Sequence, residues 1–235
     1  MPTEFDRSLE KIAAEIAVEG RASVEKDIEH LRRLGVRSAE DLVRVLDDGA
    51  AGENRQRACW LLGRLEDRHL SAHLVRALVD RDARLRIEAA RSLGTLAAVD
   101  AVPDLLRALG EDDDPDVRSA VAAALGLIGD ERAVDPLLGK LGDAGEQPAV
   151  RGAAAEALTG PRSPRAVGPL IAALADPETE VRFWAAFALG QLGDERAIPS
   201  LERVAQSDTA VLEGWGRVSD EASAAIADIR ALPTH

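Results

Sequence analysis

His69 and His73 stand four residues apart, a spacing that sets two imidazoles on one face of a helix, where a joining carboxylate would complete a divalent metal site. The other histidines, His30 and His235, are remote in sequence and no third ligand falls in register, so the pair is expected to be two polar residues on the outer side of a helix. The run Glu111-Asp112-Asp113-Asp114 gathers carboxylates but lacks the spacing and the glycine of a calcium loop; a solvated loop ending in a helix cap explains it. Cys59 is the single cysteine, which excludes an intramolecular disulfide and any multi-cysteine metal site and suits a reducing, cytoplasmic setting. There is no glycine-rich phosphate loop, nucleophile elbow or paired-carboxylate pocket. These residues predict a chain that is not an enzyme, with no catalytic, cofactor-binding or metal-binding residues.

Two further groups carry chemistry of recognition. Arg55, Arg86, Arg118, Arg151 and Arg182 follow one another at intervals of 31, 32, 33 and 31 residues, and Asp67, Asp130 and Asp194 each stand twelve residues after an arginine of that column. Arg and Asp from successive units are expected to form a structural ladder of charge-assisted hydrogen bonds, rather than a stripe for anions. Phe183, Trp184 and Phe187 place half of the six aromatic residues on one helix. Either the later segment Leu212 to Arg217, with Trp215, folds back over them, or they form a hot spot for a partner. The same aromatic region is a candidate contact between copies of the chain.

The elements that must position these residues follow the arginine register. Leu62, Leu93, Leu125, Leu158 and Leu189 stand seven residues after each anchor, and Leu74, Leu105, Leu137, Leu170 and Leu201 nineteen after it. Such constancy over five units marks a repeat architecture. Within a unit, Val117, Val121, Ala122, Leu125 and Ile128 recur at three-and-four spacing, the signature of one helix face, and Val134, Leu137, Leu138 and Leu141 form a second. Two short helices joined by a tight turn make an αα-hairpin. Asp114-Pro115 and Asp176-Pro177 each offer an N-cap followed by proline, and Pro103, Pro136, Pro169 and Pro199 fall in the opening turn of the second helices, where a missing N–H is harmless. Gly126 and Gly190, near the ends of first helices, serve a left-handed turn or a close approach of the next helix.

The predicted fold is an all-α, right-handed α-solenoid of HEAT-like αα-hairpin repeats, one continuous domain. Residues 1–52 form an N-terminal helical cap and degenerate first repeat, built on Phe5, Leu9, Ile12 and Ile16, on a helix from Ser23 to Leu34, and on Leu42, Val43 and Leu46. Residues 53–204 are five repeats, and residues 205–235 an insertion and a capping helix with Val218, Ala222, Ile226 and Ile229. Composition agrees: 46% of residues are apolar but only 3% aromatic, with no tyrosine, so the interior is built from Leu, Val, Ile and Ala. A formal charge of −13 with dispersed arginines repels a phosphate backbone, which argues against a nucleic-acid partner. The segment Thr3 to Val18 carries Glu4, Asp6, Glu10 and Glu15 and is expected to be neither a signal peptide nor a membrane span.

The stretches Asp114 to Leu141 (DPDVRSAVAAALGLIGDERAVDPLLGKL) and Val181 to Leu201 (VRFWAAFALGQLGDERAIPSL) resemble HEAT-like repeats of the bilin-lyase type. The resemblance covers roughly residues 53 to 204. It implies the solenoid, and it admits scaffolds, adaptors, bilin lyase subunits and an iron-dependent hydroxylase. The hydroxylase places His-Glu pairs directly after the anchor arginine; here those positions hold Gln56-Arg57, Ile87-Glu88, Ser119-Ala120, Gly152-Ala153 and Phe183-Trp184, none with a histidine. Lyases of this type work with a second HEAT-repeat subunit and a phycobiliprotein.

In such solenoids the second helices line the concave face, the common docking surface. Arg76, Arg107, Lys140, Ala172 and Arg203 lie on their outward side, with Phe183, Trp184, Phe187 and Trp215 as the other partner-binding candidates. Gly139, Gly168, Ala172 and Ala173 leave a shallow depression for a partner helix or extended segment. The functional expectation is therefore a non-catalytic scaffold or adaptor that binds a segment of another protein, with a bilin lyase-like subunit as the alternative.

Overall fold

The computed structural model describes residues 3, 5, 7–9, 18–33, 35–47, 52–65 and 67–231. They fall into two compact units, Met1–Ala101 and Val102–His235. In the first, α1 (Val18–Arg33), α2 (Ala39–Asp47), α3 (Gly52–Leu62), α4 (Ser71–Ala77) and α5 (Ala83–Thr95) follow in order. The second contains α6 (Val102–Glu111), α7 (Pro115–Ile128), α8 (Val134–Gly142), α9 (Pro148–Ala157), α10 (Val167–Ala173), α11 (Thr179–Leu192), α12 (Ile198–Ser207) and α13 (Val218–Ala231). The fold is an α-solenoid of HEAT-like hairpins. Of the expected N-terminal helix, Ile12 and Ile16 lie outside the described residues.

The leucine columns are its core. All ten leucines at the two repeating positions are fully buried, and each such burial stabilises by about 1.5–3 kcal/mol. Leu42, Leu46, Val218, Ala222, Ile226 and Ile229 at the ends are buried as well.

Close approach of the first helices depends on absent side chains. A Cβ at Gly126 would lie 2.7 Å from the Cα of Ala157, and one at Gly190 would lie 2.8 Å from the Cα of Ala225. These glycines thus serve inter-helix contact. The left-handed caps fall three residues later, at Gly129 (φ 70°) and Gly193 (φ 74°), each returning its N–H to a leucine carbonyl of the helix it ends.

Aspartate side chains cap the starts of α5 and α7. The Asp114 side chain accepts from the Asp116 N–H, with Pro115 opening α7 as the Asp-Pro pair predicts. The Asp176-Pro177 pair behaves differently: α11 begins at Thr179, two residues beyond the expected start, with Glu178 at its cap position. Asp176 is occupied by Arg151, and its other oxygen accepts from the Glu178 N–H, which tightens the turn before the helix.

The insertion before α13 departs from the all-helical pattern. Strands β1 (Val211–Leu212) and β2 (Gly216–Arg217) pair antiparallel, Val211 opposite Arg217 and Leu212 opposite Gly216. Gly214 (φ 81°) and Gly216 (φ 138°) supply backbone angles that other residues adopt at a cost, and they set Trp215 at the tip. Among the described residues no helix is long and apolar enough to cross a membrane.

Candidate functional site

The anchor arginines do form charge-assisted hydrogen bonds, but with other acids than expected. Arg55 reaches Asp80 at 2.7 Å, Arg118 holds Glu146 with two hydrogen bonds at 2.6 and 3.0 Å, Arg151 pairs with Asp176, and Arg182 binds Asp208 at 2.6 Å. Each partner comes 25 to 28 residues after its arginine, in the loop that follows the second helix. Arg86 donates to the Asp80 carbonyl at 2.8 Å.

Asp67, Asp130 and Asp194 are therefore not rungs of the ladder. Each caps a single 3-10 turn instead, accepting from the N–H of His69, Arg132 or Arg196 at 2.9 Å. A short side chain two residues before a free N–H satisfies it locally, and at Asp130 and Asp194 the guanidinium of Arg132 or Arg196 takes up the carboxylate as well. Asp130→Ala should accordingly cost about 1 kcal/mol, the ordinary worth of a cap, measured as a shift in the denaturant midpoint. A cost of several kcal/mol would return Asp130 to the ladder.

Glu146 is the focus of the second unit's polar network. It accepts from Arg118 and, at 2.8 Å, from Lys140, and its side chain is only 6% exposed. Burial acts to raise its carboxyl, but hydrogen bonds from Arg118, Lys140 and the Gln147 N–H outweigh that and hold it at about 2, against an ordinary 4.5. A depressed folded value means stability that is complete above the ordinary carboxylate range and lost as pH falls from 4.5 towards 2. The contribution is on the order of 3 kcal/mol. Acid titration of the unfolding midpoint should show this loss, and Glu146→Gln should flatten the profile over that window. An unchanged acid limb in the variant would contradict it.

Beside this network, α6 and α8 border a shallow cleft of about 260 Å³ lined by Leu106, Leu109, Gly110, Pro136, Gly139, Lys140 and Asp143. Positions where a Cβ at Gly110 or Gly139 would stand have no neighbour within 4 Å, so both leave open space. Lys140 is thus placed at a cleft, as the second-helix reading expects, but its ammonium is engaged by Glu146. Leu106, Leu109 and Pro136 were not among the expected lining residues; their helical spacing reads equally well as core. Ala172 is exposed on α10, where Gly168 also faces open space.

The remaining basic candidates are exposed and locally paired: Arg76 with Asp47, Arg107 with Asp104 and Arg203 with the Ser200 hydroxyl. Such surface contacts are worth little.

The aromatic candidates are brought together by the insertion. Phe183 and Trp184 are buried, and Trp215 packs edge-on against Trp184 with ring centroids 4.7 Å apart; Phe187 meets Trp184 at 5.6 Å. Phe183 and Trp184 are therefore not exposed hot spots, and the chain covers them itself without a second copy. Trp215, 66% exposed, is what this cluster presents outward.

His69 and His73 hold no third ligand, and among the described residues no three His, Cys, Asp or Glu side chains gather as a metal site. His73 lies beside Arg76 and Asp47. Cys59 is fully buried, and burial pushes its thiol well above the ordinary range, away from the thiolate that nucleophilic chemistry needs. The acidic run ends in the Asp114 cap.

The family model for HEAT repeats matches residues 71–146 and 140–215, more than half of the chain. The bilin biosynthesis protein PecE of Mastigocladus laminosus is 43% identical over 98 residues, 37% of this chain and 36% of that protein. PecE of Nostoc sp. (strain PCC 7120) is 41% identical over 100 residues, 40% of each. The chain spans two fifths or less of the length of these curated relatives. Among solved structures, an engineered protein superimposes with a TM-score of 0.57 at 22% identity, covering 83% of this chain and all of the other. A computationally designed armadillo repeat protein for modular peptide recognition gives 0.54 at 18% identity, covering 81% and 99%. Both show the fold alone. The similarity to bilin-lyase-type repeats stands, and the expectation that the chain is not an enzyme is corrected: the relatives it matches are bilin biosynthesis proteins. Nothing local betrays this, because that likeness is spread over repeats rather than gathered in a compact motif.

Proposed function

The chain belongs to the HEAT-repeat family, and from that premise we propose that it is a bilin lyase-like subunit that acts, with a protein partner, on a phycobiliprotein. One observation carries the reading: 43% identity over 98 residues to a bilin biosynthesis protein, well above what shared repeat architecture supplies, as the solved solenoids at 18 and 22% identity illustrate. The geometry is compatible. The cleft between α6 and α8 offers apolar walls in Leu106, Leu109 and Pro136 beside the Asp143 carboxylate and the Lys140 ammonium, itself engaged by Glu146, and its apolar part suits a portion of an extended apolar pigment. The Lys140–Glu146–Arg118 network fixes that ammonium in place.

Incubating the chain and a second HEAT-repeat lyase subunit with a bilin and an apo-phycobiliprotein is expected to give a covalent pigment adduct that survives denaturation and depends on the chain. An adduct yield no greater than in reactions lacking the chain overturns the reading.

A further inference from the structure

The repeat that ends in the loop after α8 breaks the pattern of the ladder. Elsewhere the acid that meets an anchor arginine is an aspartate 25 or 26 residues after it: Asp80 for Arg55, Asp176 for Arg151 and Asp208 for Arg182. Each of those aspartates also accepts from the N–H two residues on, in Asp82, Glu178 or Ala210. Asp143 stands 25 residues after Arg118 and accepts from the Gly145 N–H at 2.9 Å, so it holds the same place in the same turn. The Arg118 guanidinium nevertheless goes to Glu146, three residues further along, with two hydrogen bonds. Lys140 departs with it: the same column holds Ala77, Ala108, Ala173 and Val204 in the other repeats, and here its ammonium joins Glu146 at 2.8 Å.

The substitution of one acid for another releases Asp143 from the ladder, and the place it is released to is the cleft between α6 and α8. Asp143 and Lys140 line that cleft together with Leu106, Leu109 and Pro136. The two charged groups differ in what they can offer. The ammonium is committed to a sheltered carboxylate, whereas Asp143 is exposed and, among the described residues, accepts only from the Gly145 N–H, through one oxygen. Seating a ligand's carboxylate on Lys140 would take from Glu146 one of the hydrogen bonds that hold its carboxyl at about 2. The cleft is therefore built for a ligand that brings a donor, not an acid, to an apolar surface.

We infer that Asp143 accepts hydrogen bonds from the pyrrole N–H groups of a linear tetrapyrrole, so that the cleft takes the pigment by its nitrogen edge and leaves its carboxylate side chains to solvent. The inference rests on the lyase-like reading and adds which part of the ligand is read. Pyrrole N–H groups project from the edge of a flat apolar ring, so one carboxylate beside the Leu106, Leu109 and Pro136 walls meets both parts of the ligand at once. A hydrogen bond to an ionised acceptor is roughly twice as strong as one to a neutral acceptor. Apolar walls alone would fix no orientation; the released aspartate does.

The test titrates the full chain, followed by absorbance, with biliverdin, a linear tetrapyrrole with free carboxylates, and with its dimethyl ester. Both are expected to bind, with affinities within about threefold of each other, and both with the long-wavelength band displaced to the red as the carboxylate favours protonated rings. Asp143→Asn should weaken both at least tenfold and abolish the displacement. Asparagine keeps an acceptor for the Gly145 N–H, so the turn should hold and helical circular dichroism should be unchanged. Lys140→Met should alter binding less than threefold. Loss of binding on esterification, wild-type binding by Asp143→Asn, or no binding of either pigment overturns the inference. Covalent transfer by the wild type in the presence of the second subunit, alongside any of those results, confines the failure to this inference; no transfer overturns the lyase-like reading itself.

Discussion

Gly160→Ala should destabilise the second unit by about 3 kcal/mol or more, the upper range for forcing atoms into a packed site. The added Cβ would stand 1.8 Å from the carbonyl oxygen of Gly126 and 2.7 Å from its carbonyl carbon. Both are backbone atoms, so no side-chain rotation relieves the clash, and the loop after α9 would have to lift from the end of α7. A Cβ built on Gly126 would itself stand 2.7 Å from the Cα of Ala157, which leaves little slack. Gly168→Ala is the matched control: it lies in α10 with nothing within 4 Å, and should stabilise by about 0.5 kcal/mol through helix propensity. Denaturant unfolding of the two variants measures the contrast directly. Equal stability would mean that the repeats are not packed backbone to backbone.

Arg151→Ala is the second large effect, with an expected loss of about 3–5 kcal/mol. Arg151 is buried, its guanidinium held between Asp176 and the Leu141 carbonyl. Removing it strands a sheltered carboxylate and a carbonyl at once. In a double-mutant cycle, Asp176→Asn should lose much of its own cost in the Arg151→Ala background, because the two residues act as one unit. Simple additivity of the two costs would contradict the pairing. The exposed pair Arg165 with Asp135 provides the contrast, with an expected coupling below about 1 kcal/mol.

These effects also mark what is readable in the amino-acid order. Leu125, Leu137 and their equivalents are legible because burial is a property of position within a repeat, and a constant interval announces it. The arginine column is legible for the same reason. Its partners are less so: Asp130 lies nearer in sequence than Glu146, yet it turns inward on its own loop and caps Arg132, while Glu146 reaches the anchor from 28 residues away. Recurrence of an acid 25 to 28 residues after each paired anchor was the available signal. The hairpin carrying Trp215 left only glycines as a trace, since two residues per strand are too few for alternation to show. That Trp215 folds back over Trp184 is one of the two arrangements the sequence offers, and the packing of the two rings selects it. Function was least legible, because no catalytic motif accompanies the repeats and the elimination of metal and nucleophile sites pointed away from enzymes. Similarity to bilin biosynthesis proteins over two fifths of the chain or less corrected that expectation.

The most direct test compares covalent bilin transfer to an apo-phycobiliprotein, in the presence of the second HEAT-repeat lyase subunit, by the wild-type chain and by Gly139→Trp, which fills the cleft between α6 and α8 from a position whose Cβ meets nothing within 4 Å. Transfer by the wild type is expected, with at least a tenfold lower rate for a variant that keeps its helicity and unfolding midpoint. No transfer by the wild type would contradict the lyase-like function, and equal rates would remove the reaction from this cleft.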